Sequence, residues 1–324
     1  LKKIFLATSA VVAVVLSPLV LAAFPDKPIT LYVSYGAGAT TDISARALAS
    51  AAEKILGVPI TIENKAGGGG TVAAGLLTSK KPDGYTLLIG SSASLTVRPS
   101  IMKVSYNPAN IVGLVQYSYF YNGSLVIPND SPWNNLSDFV SYAKTHPGMS
   151  YATAGAGGIA TTSQQLGVIA LEQCFGLKFK HVPTKGGTEA NTMLMGKHVD
   201  FTSGSGSHLP FVRDGAFRQL VVFQDRRDEN FPTVPTLKDE GCAYDAPPDS
   251  AIMVSAPKGL PPEVSKKLED TFTKIIQSDE FKAMLKQNYL PYEYKDSKRL
   301  ALDLKSEADW YRSYLQNLGA LKKD

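Results

Sequence analysis

An α/β fold in two lobes, built on largely parallel strands, is predicted by three observations. Strand and helix signals alternate through the chain of 324 residues. About 300 residues remain after an N-terminal leader, long for one core and comfortable for two. Proline-marked segments at Ile127-Pro128 and Ala246-Pro247-Pro248 mark where the chain leaves one lobe and returns to it. The expected lobes are residues 24–127 with 248–324, and residues 128–247. A cleft between two such lobes is a usual seat for a small ligand.

The first element is a secretory leader over residues 1–23. Lys2 and Lys3 precede an apolar run from Ile4 to Leu16, Ser17-Pro18 breaks it, and Leu21-Ala22-Ala23 ends it, with cleavage after Ala22 or Ala23. The run is shorter than the roughly 20 residues that span a bilayer. A periplasmic location follows as the expectation. Next, Ile29 begins a strand, and Tyr35-Gly36-Ala37-Gly38-Ala39-Thr40-Thr41-Asp42 forms a loop with little side-chain bulk. Ile43, Ala47, Leu48, Ala51 and Ile55 follow at helical spacing. Free N–H groups at such a helix start, together with the helix dipole, favour an anion. Asp42 reads here as the cap of the first helix. It would repel an anion in direct contact.

Strands are expected at 59–63, 85–89, 124–127, 150–153, 179–182, 199–201, 219–223 and 251–254. Helices are expected at 71–79, 136–145 and from the loop Ala154-Gly155-Ala156-Gly157-Gly158 to Cys174. Three charged amphipathic helices, 262–277, 278–288 and 297–318, close the chain.

Composition narrows the function. The formal charge is +4, and losing the leader's two lysines leaves +2, too weak a balance to imply nucleic acid. Two cysteines, Cys174 and Cys242, are candidates for a disulfide in an oxidising compartment or for two separate buried thiols. His146, His181, His198 and His208 have no metal-ligand spacing. Gly68-Gly69-Gly70-Thr71-Val72-Ala73 and Gly155-Ala156-Gly157-Gly158-Ile159-Ala160 match a loose nucleotide-loop pattern without its acidic partner. No G-x-S-x-G elbow exists, so no catalytic residue, metal or cofactor is expected.

Several segments, in this order, resemble the solute-binding receptors of tripartite tricarboxylate transporters, the Bug family. They are Phe24-Pro25-Asp26-Lys27-Pro28-Ile29, Ile62-Glu63-Asn64-Lys65-Ala66-Gly67-Gly68-Gly69-Gly70 and Pro82-Asp83-Gly84-Tyr85-Thr86-Leu87-Leu88. His146-Pro147-Gly148, His181-Val182-Pro183-Thr184-Lys185-Gly186, Gly196-Lys197-His198-Val199-Asp200 and Phe231-Pro232-Thr233-Val234-Pro235-Thr236 continue the match. The resemblance implies a type II periplasmic binding fold, a Venus flytrap that closes on a carboxylate. It also implies delivery to a membrane permease of one large and one small subunit. A monomer is expected, with an exported hydrolase or a sensory binding protein as the alternatives. Only Ser205 and His208, close in sequence, speak for a hydrolase.

The ligand site is expected at Tyr35, Gly36, Ala37, Gly38, Ala39, Thr40, Thr41 and Asp42, with Ser91, Ser92, Thr153, Gly157, Thr161, Thr162, Thr184, Ser203 and Ser205. The resemblance puts Asp42 at the mouth of the ligand loop, either to bind an ammonium group or to organise the loop. Hydroxyls and backbone N–H groups suit a carboxylate because they donate directed bonds without burying a second charge. The chain departs from the family pattern at Ala37, Ala39, Thr40, Thr184 and 201–208, all at the expected cleft.

Overall fold

The computed structural model describes residues 24–154, 162–204, 206–243 and 245–317. The leader expected over residues 1–23 lies outside them. The chain begins with β1 (Ile29–Val33), α1 (Thr40–Leu56), β2 (Ile60–Asn64), α2 (Thr71–Thr78), β3 (Thr86–Ser91), the short α3 (Arg98–Ile101) and β4 (Ile111–Phe120). It then builds β5 (Ser124–Pro128), α4 (Leu136–Thr145), β6 (Ser150–Ala154), α5 (Ser163–Phe175), β7 (Lys180–Thr184), α6 (Gly187–Met195), β8 (Phe201–Ser203), α7 (Leu209–Arg213) and β9 (Phe217–Val222). It returns through β10 (Ser250–Pro257), α8 (Pro262–Ile276), α9 (Asp279–Gln287), β11 (Lys295–Asp296) and α10 (Ser297–Asn317).

These strands make two sheets, ordered β11-β4-β10-β3-β1-β2 and β7-β6-β8-β5-β9. Each is mixed rather than largely parallel. In the first, β1 runs parallel to β2 and β3, but β10 is antiparallel to both β3 and β4. In the second, β6 is parallel to β7 and β8, while β5 is antiparallel to β8 and β9. A strand that arrives from the other lobe runs against its neighbours, and periodicity carries no sign of direction.

The outward crossing needs a correction. The sequence places it at 127–128, but Ser124–Pro128 already pairs with β8 and β9, so the chain changes sheet at 121–123. Residues 124–127 therefore belong to the second sheet. Gly123 turns there at φ 102° in space too tight for a side chain, since an added Cβ would lie 2.8 Å from Ser203 Oγ. The two crossings lie side by side: Asn122 Nδ2 donates to the carbonyl of Pro247, and Phe223 N–H donates to the carbonyl of Gly123. Helix α10 also touches both lobes, because Tyr311 and Leu315 pack with Val97 of the first and Leu166 of the second.

Burial of small and branched side chains holds the layers. Helix α1 turns Ala45, Leu48, Ala49, Ala52 and Leu56 onto β1, β3 and β10, against α8 and α9. This corrects the expected face by about one residue, since Ile43 and Ile55 are exposed. The alanines let helix and sheet approach closely, and Gly57 at φ 74° ends the helix with a bond to Glu53 O. In the second lobe Phe139, Val168, Leu171, Phe201 and Phe223 form the core. Each fully buried side chain of this size contributes about 2 kcal/mol. Cys174 at the end of α5 is bonded to Cys242 after β9.

Candidate functional site

Topology makes the site. Strand β4 pairs antiparallel with β10, as β3 does, so β4 points the same way as β1, β2 and β3. Its carboxyl end feeds the outward crossing directly. In the second sheet β5 starts at that crossing and is antiparallel to β8, so the carboxyl ends of β6, β7 and β8 also face it. The two carboxyl edges meet across the crossings. Ligands of open α/β sheets bind in such crevices beyond the carboxyl ends of strands.

On the first lobe the edge carries the loops after β1, β2 and β3. The loop after β1 is exposed at Gly36, Ala37 and Gly38. Helix α1 starts at Thr40 with Ala39 as its N-cap, so Asp42 is not the cap but the third helical residue. Its carboxylate reaches back to the Gly38 N–H (2.9 Å) and takes Arg46 Nε (2.9 Å) and Asn64 Nδ2 (2.8 Å). Asn64 also donates to Tyr35 O. Burial pushes the Asp42 carboxyl up, but the bonds from Arg46, Gly38 and Asn64 outweigh it and hold it below its usual range. Asp42 is thus the loop's lock.

That lock narrows the expected donor set. Gly38 N–H is spent on Asp42, and Ala39 N–H on Gly36 O. Thr40 and Thr41, the first two helical residues, have no carbonyl one turn back to receive their N–H groups. Among the described residues neither of their hydroxyls is hydrogen bonded. Tyr35 stands beside them with its ring edge-on to Phe120. Burial raises its phenol pKa, while a bond with the Ser91 hydroxyl and nearby Arg98 oppose the shift.

Four of the other predicted hydroxyls spend their proton internally, while Ser91 Oγ accepts from Ala93 N–H. Ser92 Oγ donates to Glu307 (3.0 Å) and accepts from Ala251 N–H. Thr153 donates to Ser203 O, Ser203 to Gln164 O, and Thr184 to Gly186 O. Thr162 caps α5 by accepting from Gln165 N–H. Gly157, Thr161 and Ser205 lie outside the described residues. Thr153, Thr162, Thr184 and Ser203 shape the second lobe's edge.

His208 is fully buried. Its Nδ1 accepts from Gly206 N–H (3.3 Å), so Nε2 carries the proton and donates to Ser124 Oγ (3.0 Å). Burial lowers its pKa to about 3, which keeps the ring neutral. Neither nitrogen has a lone pair left to act as a general base, so the ring is structural.

One residue of this edge is absent from the sequence expectations. Arg98, after the β3 loop, is only 7% exposed, and its Nε has no hydrogen-bond partner. Its guanidinium lies against Gly69, where an added Cβ would stand 2.5 Å from Nη2 and 2.6 Å from Nε. The phenols of Tyr35, Tyr106 and Tyr311 surround it, and burial lowers its pKa. An Arg in a Val-Arg-Pro turn looks like any surface Arg in sequence; its one signal is its place after a serine-rich strand end.

A family model described as the tripartite tricarboxylate transporter family receptor matches residues 44–318. The "UPF0065 protein in gbd 5'region" of Cupriavidus necator is 33% identical over 306 residues, covering 92% of this chain and 90% of that one. The structure of periplasmic binding protein BugD superposes with a TM-score of 0.81 at 24% identity, covering 93% of this chain and 100% of that one. MatC from Rhodopseudomonas palustris with bound malate gives 0.77 at 24% identity, with 90% and 99% covered.

Proposed function

We infer that this chain, which belongs to the tripartite tricarboxylate transporter receptor family, is a periplasmic receptor that captures one small organic carboxylate between its lobes. The observation that carries the reading is the locked loop after β1. Asp42 fixes its backbone, so the N–H and hydroxyl donors of Thr40 and Thr41 are set before ligand arrives. Pre-set donors suit an anion because little ordering remains to be done on binding. The lobes close about 121–123 and 246–248, and the closed receptor hands its acid to a membrane permease with a large and a small subunit. A hydrolase is disfavoured because the His208 nitrogens are both engaged.

A thermal-shift screen of the mature protein against benzoate, malate, adipate and citrate tests the reading. An acid held at 100 times its dissociation constant adds about 2.7 kcal/mol of stability. No shift with any of these four at millimolar concentration would count heavily against a carboxylate receptor. The loop itself is tested by Gly38→Val. Gly38 sits at φ 79° with open space around its Cβ position, so the obstacle is backbone conformation rather than a clash. A β-branched residue is strongly disfavoured there. The substitution is expected to pull Gly38 N–H off Asp42 and abolish binding, with circular dichroism unchanged. A folded variant that binds as tightly as the parent would move the anion site off this loop.

A further inference from the structure

We infer that Arg98 is the counter-charge for a carboxylate of the captured acid. The inference rests on the carboxylate reading above and adds a charged binding residue to a site otherwise made of backbone and hydroxyl donors. Arg98 is buried, and among the described residues it makes no ion pair and no hydrogen bond. A guanidinium taken out of water without an acid is strongly unfavourable, and a partner that arrives later relieves the cost. The side chains that act on it are the phenols of Tyr35, Tyr311 and Tyr106, with no acid among them, and two acids of the same lobe and of α10 are committed elsewhere. Asp42 is held by Arg46, Asn64 and Gly38, and Glu307 is buried and bonded by Ser92 and Thr96.

The seat is shaped for the fork. Gly69, at φ 63°, leaves open the space that the guanidinium occupies, and any side chain there would collide with it. A brace for the glycine loop would donate to that loop's carbonyls, yet no described carbonyl accepts from Arg98. Tyr35, from the donor loop, is among its neighbours. The three carboxyl-edge loops of the first lobe therefore converge on this cation. A planar fork receives a carboxylate through two parallel bonds, which a backbone loop alone does not provide.

The test pairs Arg98→Met with acids and their uncharged amides: adipate with adipamide, benzoate with benzamide, malate with malamide. Melting is followed without ligand, and affinity is measured by titration calorimetry. The ligand-free variant is expected to melt at or above the parent temperature, because an unpaired buried charge is gone. Affinity for the acid is expected to fall at least tenfold, and the parent is expected to prefer each acid it binds over its amide by at least tenfold. A folded Arg98→Met protein that keeps parental affinity overturns the proposal, as does a lower melting temperature with affinity intact, the mark of a brace. Should Arg98→Met not fold, the parent decides: equal affinity for acid and amide overturns the proposal, and a tenfold preference for the acid supports it. Failure of the parent to bind any of the three acids sinks the carboxylate reading and the proposal together. Binding that ignores Arg98→Met sinks only the proposal.

Discussion

Replacing both cysteines, Cys174→Ser with Cys242→Ser, is expected to cost the second lobe about 4 kcal/mol of stability. The bond joins residues 68 apart in sequence, and it connects the end of α5 to the segment after β9. Without it the unfolded chain regains the freedom of a long loop, while the folded lobe keeps the same core. Denaturant unfolding followed through Trp133, buried against Phe139 in that lobe, reads the effect directly. The midpoint should drop, with a similar drop in the parent under reductant, since Cys174 is exposed. Coincident curves for parent and double variant would show that the loop is restrained by other contacts.

A second large effect is expected with pH, at Glu307. This residue of α10 is buried and accepts hydrogen bonds from Ser92 and Thr96 at 3.0 Å each. Burial pushes its carboxyl up to about 8, against those two bonds. The folded protein therefore keeps a proton that the unfolded chain releases near 4.5. Stability from this group is full below pH 4.5 and is lost as pH rises through about 8, a change on the order of 5 kcal/mol. Glu307→Gln keeps the shape and the acceptor but not the titration. The stability of the Gln variant relative to the parent should rise between pH 5 and 9, measured by urea unfolding at each pH. Parallel profiles would mean that Glu307 is ionised in the folded protein.

Strands bounded by turn residues were legible in sequence. Tyr85–Ile89, framed by Gly84 and Gly90, predicts β3 to within two residues, and the three closing helices follow their apolar stripes. The strand Ile111–Phe120 was not legible, although it is ten residues long. It lies between β10 and β11 with buried residues on both faces, so the adjacent Leu114 and Val115 are inside together and no alternation shows. Helix α6 was missed as well. The loop between β1 and α1 could be read because small residues between strand and helix have a local meaning. The partner through which Asp42 locks it could not, because Asn64 is 22 residues away. Arg98 could not either: burial is a property of the whole fold, and the residue's type predicts a surface position.

The place of β10 has a consequence for how the molecule comes into being. Among the described residues, strand β4 pairs only with β10 and β11, and β3 pairs on that side only with β10. A growing chain is made from its amino end, so β4 waits for some 130 residues before its partner exists. Meanwhile everything the second sheet needs, from Ser124 to Cys242, is already present. The lobe that comes later in sequence can be finished first, while the earlier one stands as β3-β1-β2 with an open border and a stray apolar strand. An unpaired border of that kind is a template for other chains. Until Ser250 is available, that border stays open.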